Sequence, residues 1–183
     1  MKSFLTKAYP HLIAIGLFLA LSSAYFSPAF NDYELKQGDV KQYLGMQKEI
    51  SDFRLLNDDE PLWTNAMFGG MPAYQISIGH SGNLLIYIDK ILKLGLPQPV
   101  GMLFMAMLGF YILALCLRVR PWIGMIGAIA FGFSTINILY LGAGHITKIN
   151  AITYMAPALG GLILAFRSRF LLGAAIFALF FGL

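Results

Sequence analysis

Three side chains in this chain have the types and settings for chemistry: Asp39, His145 and Lys148. A carboxylate can take a proton or hold a divalent metal, an imidazole can relay a proton, and an ammonium can stand opposite a phosphate. Each also has a plainer reading. Asp39-Val-Lys-Gln42 fits a capping box, with Asp39 as N-cap and Gln42 reaching back to it. The two roles are compatible, because one carboxylate oxygen can cap while the other acts. His145 and Lys148 equally suit an ordinary loop at a membrane boundary.

The elements that must position them follow from composition. Of 183 residues, 58% are hydrophobic and only 12% charged, and the mean hydropathy is +0.69. A soluble domain carries roughly 25% charged residues. An all-α, polytopic transmembrane helix bundle is expected. Cys116, the one cysteine, excludes a disulfide within the chain and a cysteine-based zinc site, and its apolar setting marks it as filler. The chain has no phosphate-binding glycine loop, HExxH or serine elbow.

Apolar runs place spans at 11–30, 100–117, 122–141 and 151–166, the last extending back toward Ile149. A fifth run, 170–183, is too short to cross and marks the chain as the N-terminal piece of a longer protein. Leu21-Ser22-Ser23-Ala24 resembles a signal cleavage region, but the run continues through Tyr25, Phe26 and Phe30. All nine acids lie between residues 28 and 96 with six bases, a net of −3, so the basic pI reports topology and not nucleic-acid binding. Lys2 and Lys7, Arg118 and Arg120, and Arg167 and Arg169 share one side if the spans alternate. The positive-inside bias then puts the N-terminus in the cytoplasm and residues 31–96 outside.

That outer segment is expected to be helical. Apolar residues at 40, 43, 46, 50 and 53 trace one helix over 39–56. Gly69-Gly70-Met71-Pro72 reads as a turn, with Trp63, Phe68 and Tyr74 around it, packed on the membrane or lining a sugar-binding groove. A helix bounded by Ser81-Gly82-Asn83 and Gly95-Leu96-Pro97 has Leu84, Leu85, Ile88, Ile91 and Leu92 on one face and Asp89, Lys90 and Lys93 on the other. It reads as lying in the interface. Glu49, Asp52 and Arg54 read as a solvated face, and Asp58-Asp59-Glu60 as a charged turn more than a metal cluster. His11 and His80 carry little signal. The glycines of the later spans suit close helix packing. No acid or base lies in the core of a span, which disfavours a pump or an ion-coupled transporter. Asp39 and the loop 142–150 face one water layer if the spans bundle. Asp39, His145 and Lys148 can then converge on a lipid-phosphate headgroup.

Asp39-Val-Lys-Gln-Tyr43 after a first span, Glu60-Pro-Leu-Trp-Thr-Asn-Ala-Met-Phe-Gly-Gly-Met-Pro-Ala-Tyr74, and Gly144-His145 before an apolar span resemble the YfhO-like bacterial membrane protein family. That family is similar to the GT-C class of glycosyltransferases. The resemblance covers most of this chain but only the N-terminal part of a family member, so the chain alone is expected to be inactive. It implies sugar transfer from a polyprenyl-phosphate donor to a cell-envelope acceptor outside the bacterial inner membrane. Asp39 is then the catalytic acid, with Gln42, Tyr43, Trp63, His145 and Lys148 binding substrate. GT-C enzymes often carry a second acid in the next outer loop. Residues 142–150 contain none, and His145 stands there instead. A divalent metal remains an option and no cofactor is required. The rival expectation is a non-catalytic membrane protein, either a lipid-linked-substrate transporter or an assembly scaffold.

Overall fold

The computed structural model describes residues 2–31, 33–77 and 84–183, with side chains from residue 8 onward. Asp32, His80, the side chains of Lys2 and Lys7, and the expected helix start at 81–83 lie outside the described residues. The chain is 75% helical. Three helices are long and apolar enough to cross a membrane: Ala8–Tyr25 within α1 (Lys2–Tyr25), and, later in the chain, Gln98–Cys116 and Ile146–Phe166. At 1.5 Å per residue, about 20 residues cover the roughly 30 Å hydrocarbon core.

Between α1 and the next long helix come α2 (Gly38–Met46), α3 (Lys48–Asn57), the strands β1 (Trp63–Thr64) and β2 (Met71–Pro72), and α4 (Leu85–Leu92). The expected single helix over 39–56 is two. Gln47 still donates its N–H to the Tyr43 carbonyl at 2.9 Å, but its ψ of −4 turns the chain, so it ends α2 and caps α3. The expected turn at 69–72 closes a small antiparallel ribbon, Trp63 opposite Pro72. Gly70 there has φ +126, and a Cβ would strike the Trp63 indole at 2.6 Å, so only glycine closes this turn over the ring. Ile50, Ala73 and Ile76 form a small core beneath the ribbon with Met46, Met67 and Met71.

Glu49 and Arg54, read as a solvated face, instead stitch this unit together. Glu49 Oε2 accepts from Thr64 Oγ1 at 2.5 Å and from the Asn65 N–H at 3.0 Å. Arg54 reaches Glu60 at 2.7 Å and Ser77 Oγ at 2.7 Å. The charged turn itself is regular: Asp58 ends α3 in the left-handed conformation, and Asp59 Oδ1 accepts from the Glu60 N–H.

The long helices follow as α5 (Gln98–Cys116), α6 (Pro121–Gly132), α7 (Thr135–Ala143), α8 (Ile146–Phe166) and α9 (Phe170–Gly182). Pro99 and Pro121 sit in first turns, where a missing N–H costs nothing. α5 is the hub, packing on α1, α6 and α8, and α8 also packs on α9. Gly109 permits the α5–α8 contact, since a Cβ there would meet the Thr153 carbonyl at 2.6 Å. The core gathers Phe18, Met102, Leu103, Phe104, Met107 and Leu141.

The third apolar run, expected to be continuous over 122–141, breaks between α6 and α7 with a bend of 43°. Ser134 takes extended geometry (φ −59, ψ 144) as the N-cap of α7. The Phe131 carbonyl freed by the break accepts from Ser134 N–H at 3.1 Å and from Asn137 Nδ2 at 2.8 Å.

The ends of the bundle are distinct. His11 Nδ1 lies 2.8 Å from the Tyr111 hydroxyl and Arg167 Nη1 3.4 Å from the Cys116 carbonyl, so the start of α1 and the ends of α5 and α8 lie together with Arg118. The opposite end gathers the starts of α5 and α8, and there α2 docks.

α4 keeps only part of its expected division into faces: Leu85, Ile88 and Leu92 are half-buried and Lys90 is exposed, but four residues are exchanged. Asp89 and Lys93 point inward, 28% and 11% exposed, while Leu84, Tyr87 and Ile91 point out. The inward charges have partners: Lys93 Nζ lies 2.7 Å from Asp89 and 3.1 Å from Asn150 Oδ1 on α8, and the Tyr154 hydroxyl donates to Asp89.

Candidate functional site

The site forms where α2 meets the link between α7 and α8. Gly144 ends α7 with φ +92, a left-handed turn that glycine adopts without steric cost. It also leaves room for α2, because a Cβ on it would lie 2.9 Å from Gln37 Cβ and 3.1 Å from Val40 Cγ2. Gln37, the N-cap residue of α2 and only 9% exposed, donates its Nε2 to the Leu141 carbonyl at 2.6 Å. That bond satisfies a carbonyl left open at the end of α7. Gln37 and Gly144 thus fix the start of α2 against the start of α8.

One consequence is a contact across the joint: Asp39 Oδ2 lies 2.6 Å from His145 Nδ1. The expected capping box does not form. Gln37, not Asp39, is the N-cap, and no side chain caps α2. Asp39 stands in the first turn of α2, where the helix dipole favours a negative charge, and its side chain turns to the imidazole. His145 is the N-cap residue of α8, so the pair also meets the positive end of that helix. Its ring packs edge-on against Tyr140, with centroids 5.4 Å apart.

The pair opens into a groove of about 450 Å³ lined by Asp39, Val40, Tyr43, Gln98, His145 and Thr147, with the Gly144 and Ile146 backbone between them. The Asp39 side chain is 48% exposed and that of His145 31%, so both reach solvent while held against each other. With Asp39 ionised and accepting from Nδ1–H, the imidazole keeps Nε2 as a proton acceptor. No partner holds Nε2 among the described residues. Asp39 and His145 offer two donors to a metal, and no group of three or more His, Cys, Asp or Glu forms among the described residues.

The other residues singled out by sequence divide. Tyr43 lines the groove. Gln42, on the same helix, is exposed and does not line it. Lys148 is exposed beside the groove, its Nζ 5.6 Å from the centre of the Tyr140 ring. Trp63 belongs to the ribbon, packed on Gly70 and 57% exposed. Gln37 and Gln98 belong to no motif in the sequence. The signal for the joint was Gly144, a glycine just past an apolar run, the usual mark of a left-handed helix end.

Compared with known proteins, the chain matches no family model, no curated protein and no solved structure.

Proposed function

We propose that the chain carries the acid–base centre of a membrane glycosyltransferase-like protein. In this reading a sugar passes from a polyprenyl-phosphate donor to a hydroxyl of a cell-envelope acceptor outside the bacterial inner membrane. The observation that supports it is the 2.6 Å contact between Asp39 and His145, in a groove at the end of the bundle remote from Arg118 and Arg167. The resemblance of Asp39–Tyr43, Glu60–Tyr74 and Gly144-His145 to the YfhO-like family supplies the reaction class.

The roles shift from the simplest expectation. Asp39 holds the imidazole through Nδ1–H and offsets the charge it gains, and His145 Nε2 takes the proton of the acceptor hydroxyl. The acceptor oxygen then bonds the anomeric carbon, and the bond from that carbon to the phosphate oxygen breaks, its electron pair leaving with the phosphate. The first turn of α8, at Ile146 and Thr147, offers the leaving phosphate a helix N-terminus. Lys148 adds a positive charge nearby.

The test is Asp39→Asn in membranes expressing the full reading frame, followed by release of labelled sugar from its polyprenyl-phosphate donor. His145 serves as base through Nε2 only while Asp39 holds its Nδ1–H, and a positioned general base contributes about 10²–10⁴-fold. Loss of that order at unchanged membrane abundance is expected; undiminished transfer sinks the assignment.

A further inference from the structure

The groove at Asp39 and His145 does not stop at the first turn of α8. Thr147 lines it and also lines a second cleft, of about 590 Å³, that runs down α8 against α9. The lining of that cleft changes along its length. At the head stand Thr147, Asn150 and the Tyr154 side chain, with Lys93 behind them hydrogen-bonded to Asn150 at 3.1 Å. Below them the walls are apolar: Met155, Leu159 and Leu162 from α8, Phe177 and Phe181 from α9. Positions 147, 151, 155, 158–159 and 162 recur at helical spacing, so a single, largely outward face of α8 makes the floor from Thr147 down the helix. Gly161 and Gly173 bring α8 and α9 into backbone contact beside it: a Cβ on Gly161 would lie 2.8 Å from the Gly173 carbonyl.

We infer that this α8–α9 cleft holds the hydrocarbon tail of a lipid whose phosphate head lies in the Asp39–His145 groove. A groove that holds a carboxylate and an imidazole and shares Thr147 with an apolar trough fits an amphiphile better than a free sugar phosphate or a soluble acceptor. The trough lies on a helix long and apolar enough to span, so its surroundings are the ones in which a lipid tail is already dissolved. The identity of the head rests on the sugar-transfer reading above; the tail site rests on the continuity through Thr147.

A polyprenyl phosphate with a photoactivatable group in its tail tests the site, using the full chain in phosphatidylcholine nanodiscs. The probe carries no sugar, so the readout does not depend on transfer. Labelling is expected to concentrate on residues 151–162 and 177–181. Excess unlabelled polyprenyl phosphate should displace it and inorganic phosphate should not. Ala151→Trp, at an exposed position of the cleft one turn beyond Thr147, should cut labelling there by about tenfold, the equivalent of between one and two buried methylenes. Leu159→Trp, 47% exposed on the trough floor, provides a second plug should the first fail to fold. Ile126→Trp, 66% exposed on α6 away from the cleft, should leave labelling unchanged. Equal labelling of α6 and α7, insensitivity to both plugs, or no labelling, as when another helix fills the trough, overturns the inference. Correct labelling with undiminished transfer in Asp39→Asn overturns the catalytic reading instead.

Discussion

Gly144→Ala separates α2 from α8 more directly than any change to Asp39 or His145 themselves. The residue has φ +92, where an alanine pays about 1–2 kcal/mol for the left-handed conformation. The added methyl would also press on Gln37 Cβ at 2.9 Å and Val40 Cγ2 at 3.1 Å, and such overpacking costs about 1–3 kcal/mol. The two together come to about 2–5 kcal/mol unless α2 moves. α2 is a short helix joined to the bundle at its first turn, so it moves: the Gln37–Leu141 bond opens and Asp39 leaves His145. Gly142→Ala is the matched control, since it lies within α7 with nothing inside 4 Å of its Cβ and gains about 0.5–1 kcal/mol from helix propensity. Spin labels at the exposed Lys41 and Lys148, read by pulsed dipolar spectroscopy in nanodiscs, report the separation. Gly144→Ala should lengthen and broaden the distance distribution and lower the unfolding midpoint, while Gly142→Ala should leave the distances as they are. Identical behaviour of the two variants refutes the reasoning.

Other expectations follow from the same geometry. Gln37→Leu leaves the buried Leu141 carbonyl without its partner and should cost about 1–3 kcal/mol in denaturant unfolding. Lys93→Met strips Asp89 and Asn150 of the ammonium that joins α4 to α8, for a loss of about 1–3 kcal/mol, and hydrogen exchange should rise in α4 ahead of the rest. Asn137→Leu should change stability by less than about 1 kcal/mol. Phe131 O keeps its bond from Ser134 N–H, and a buried Oδ1 that has no partner is removed.

The long apolar runs were legible because a bilayer allows few solutions: about 20 apolar residues in a row form a helix. α5 lies where its run predicted it; the first span ends at Tyr25 and not at 30, with a 3-10 turn over Ser27–Phe30, and α8 begins at Ile146, a turn before the expected 151. Finer features were not legible, for identifiable reasons. The break before α7 costs little in composition, Ser134, Thr135 and Asn137 in an otherwise apolar run, and its carbonyl is satisfied by Asn137 in three dimensions. The capping box at Asp39 failed because local chemistry lost to a tertiary partner, His145, which the sequence places far away. The inward turn of Asp89 and Lys93 needed Asn150 and Tyr154 on another helix to satisfy it. Asp39 and His145 each stand beside the end of an apolar run, which brings them to one end of the bundle, and the joint made by Gln37 and Gly144 turns that into contact.

The most direct test of the Asp39–His145 centre is its double-mutant cycle, with sugar release measured for Asp39→Asn, His145→Ala and the two together. If one unit moves one proton, each single change removes about 10²–10⁴-fold and the double change removes little more than either alone. Losses that multiply, or a His145→Ala enzyme at full rate, would contradict the shared site.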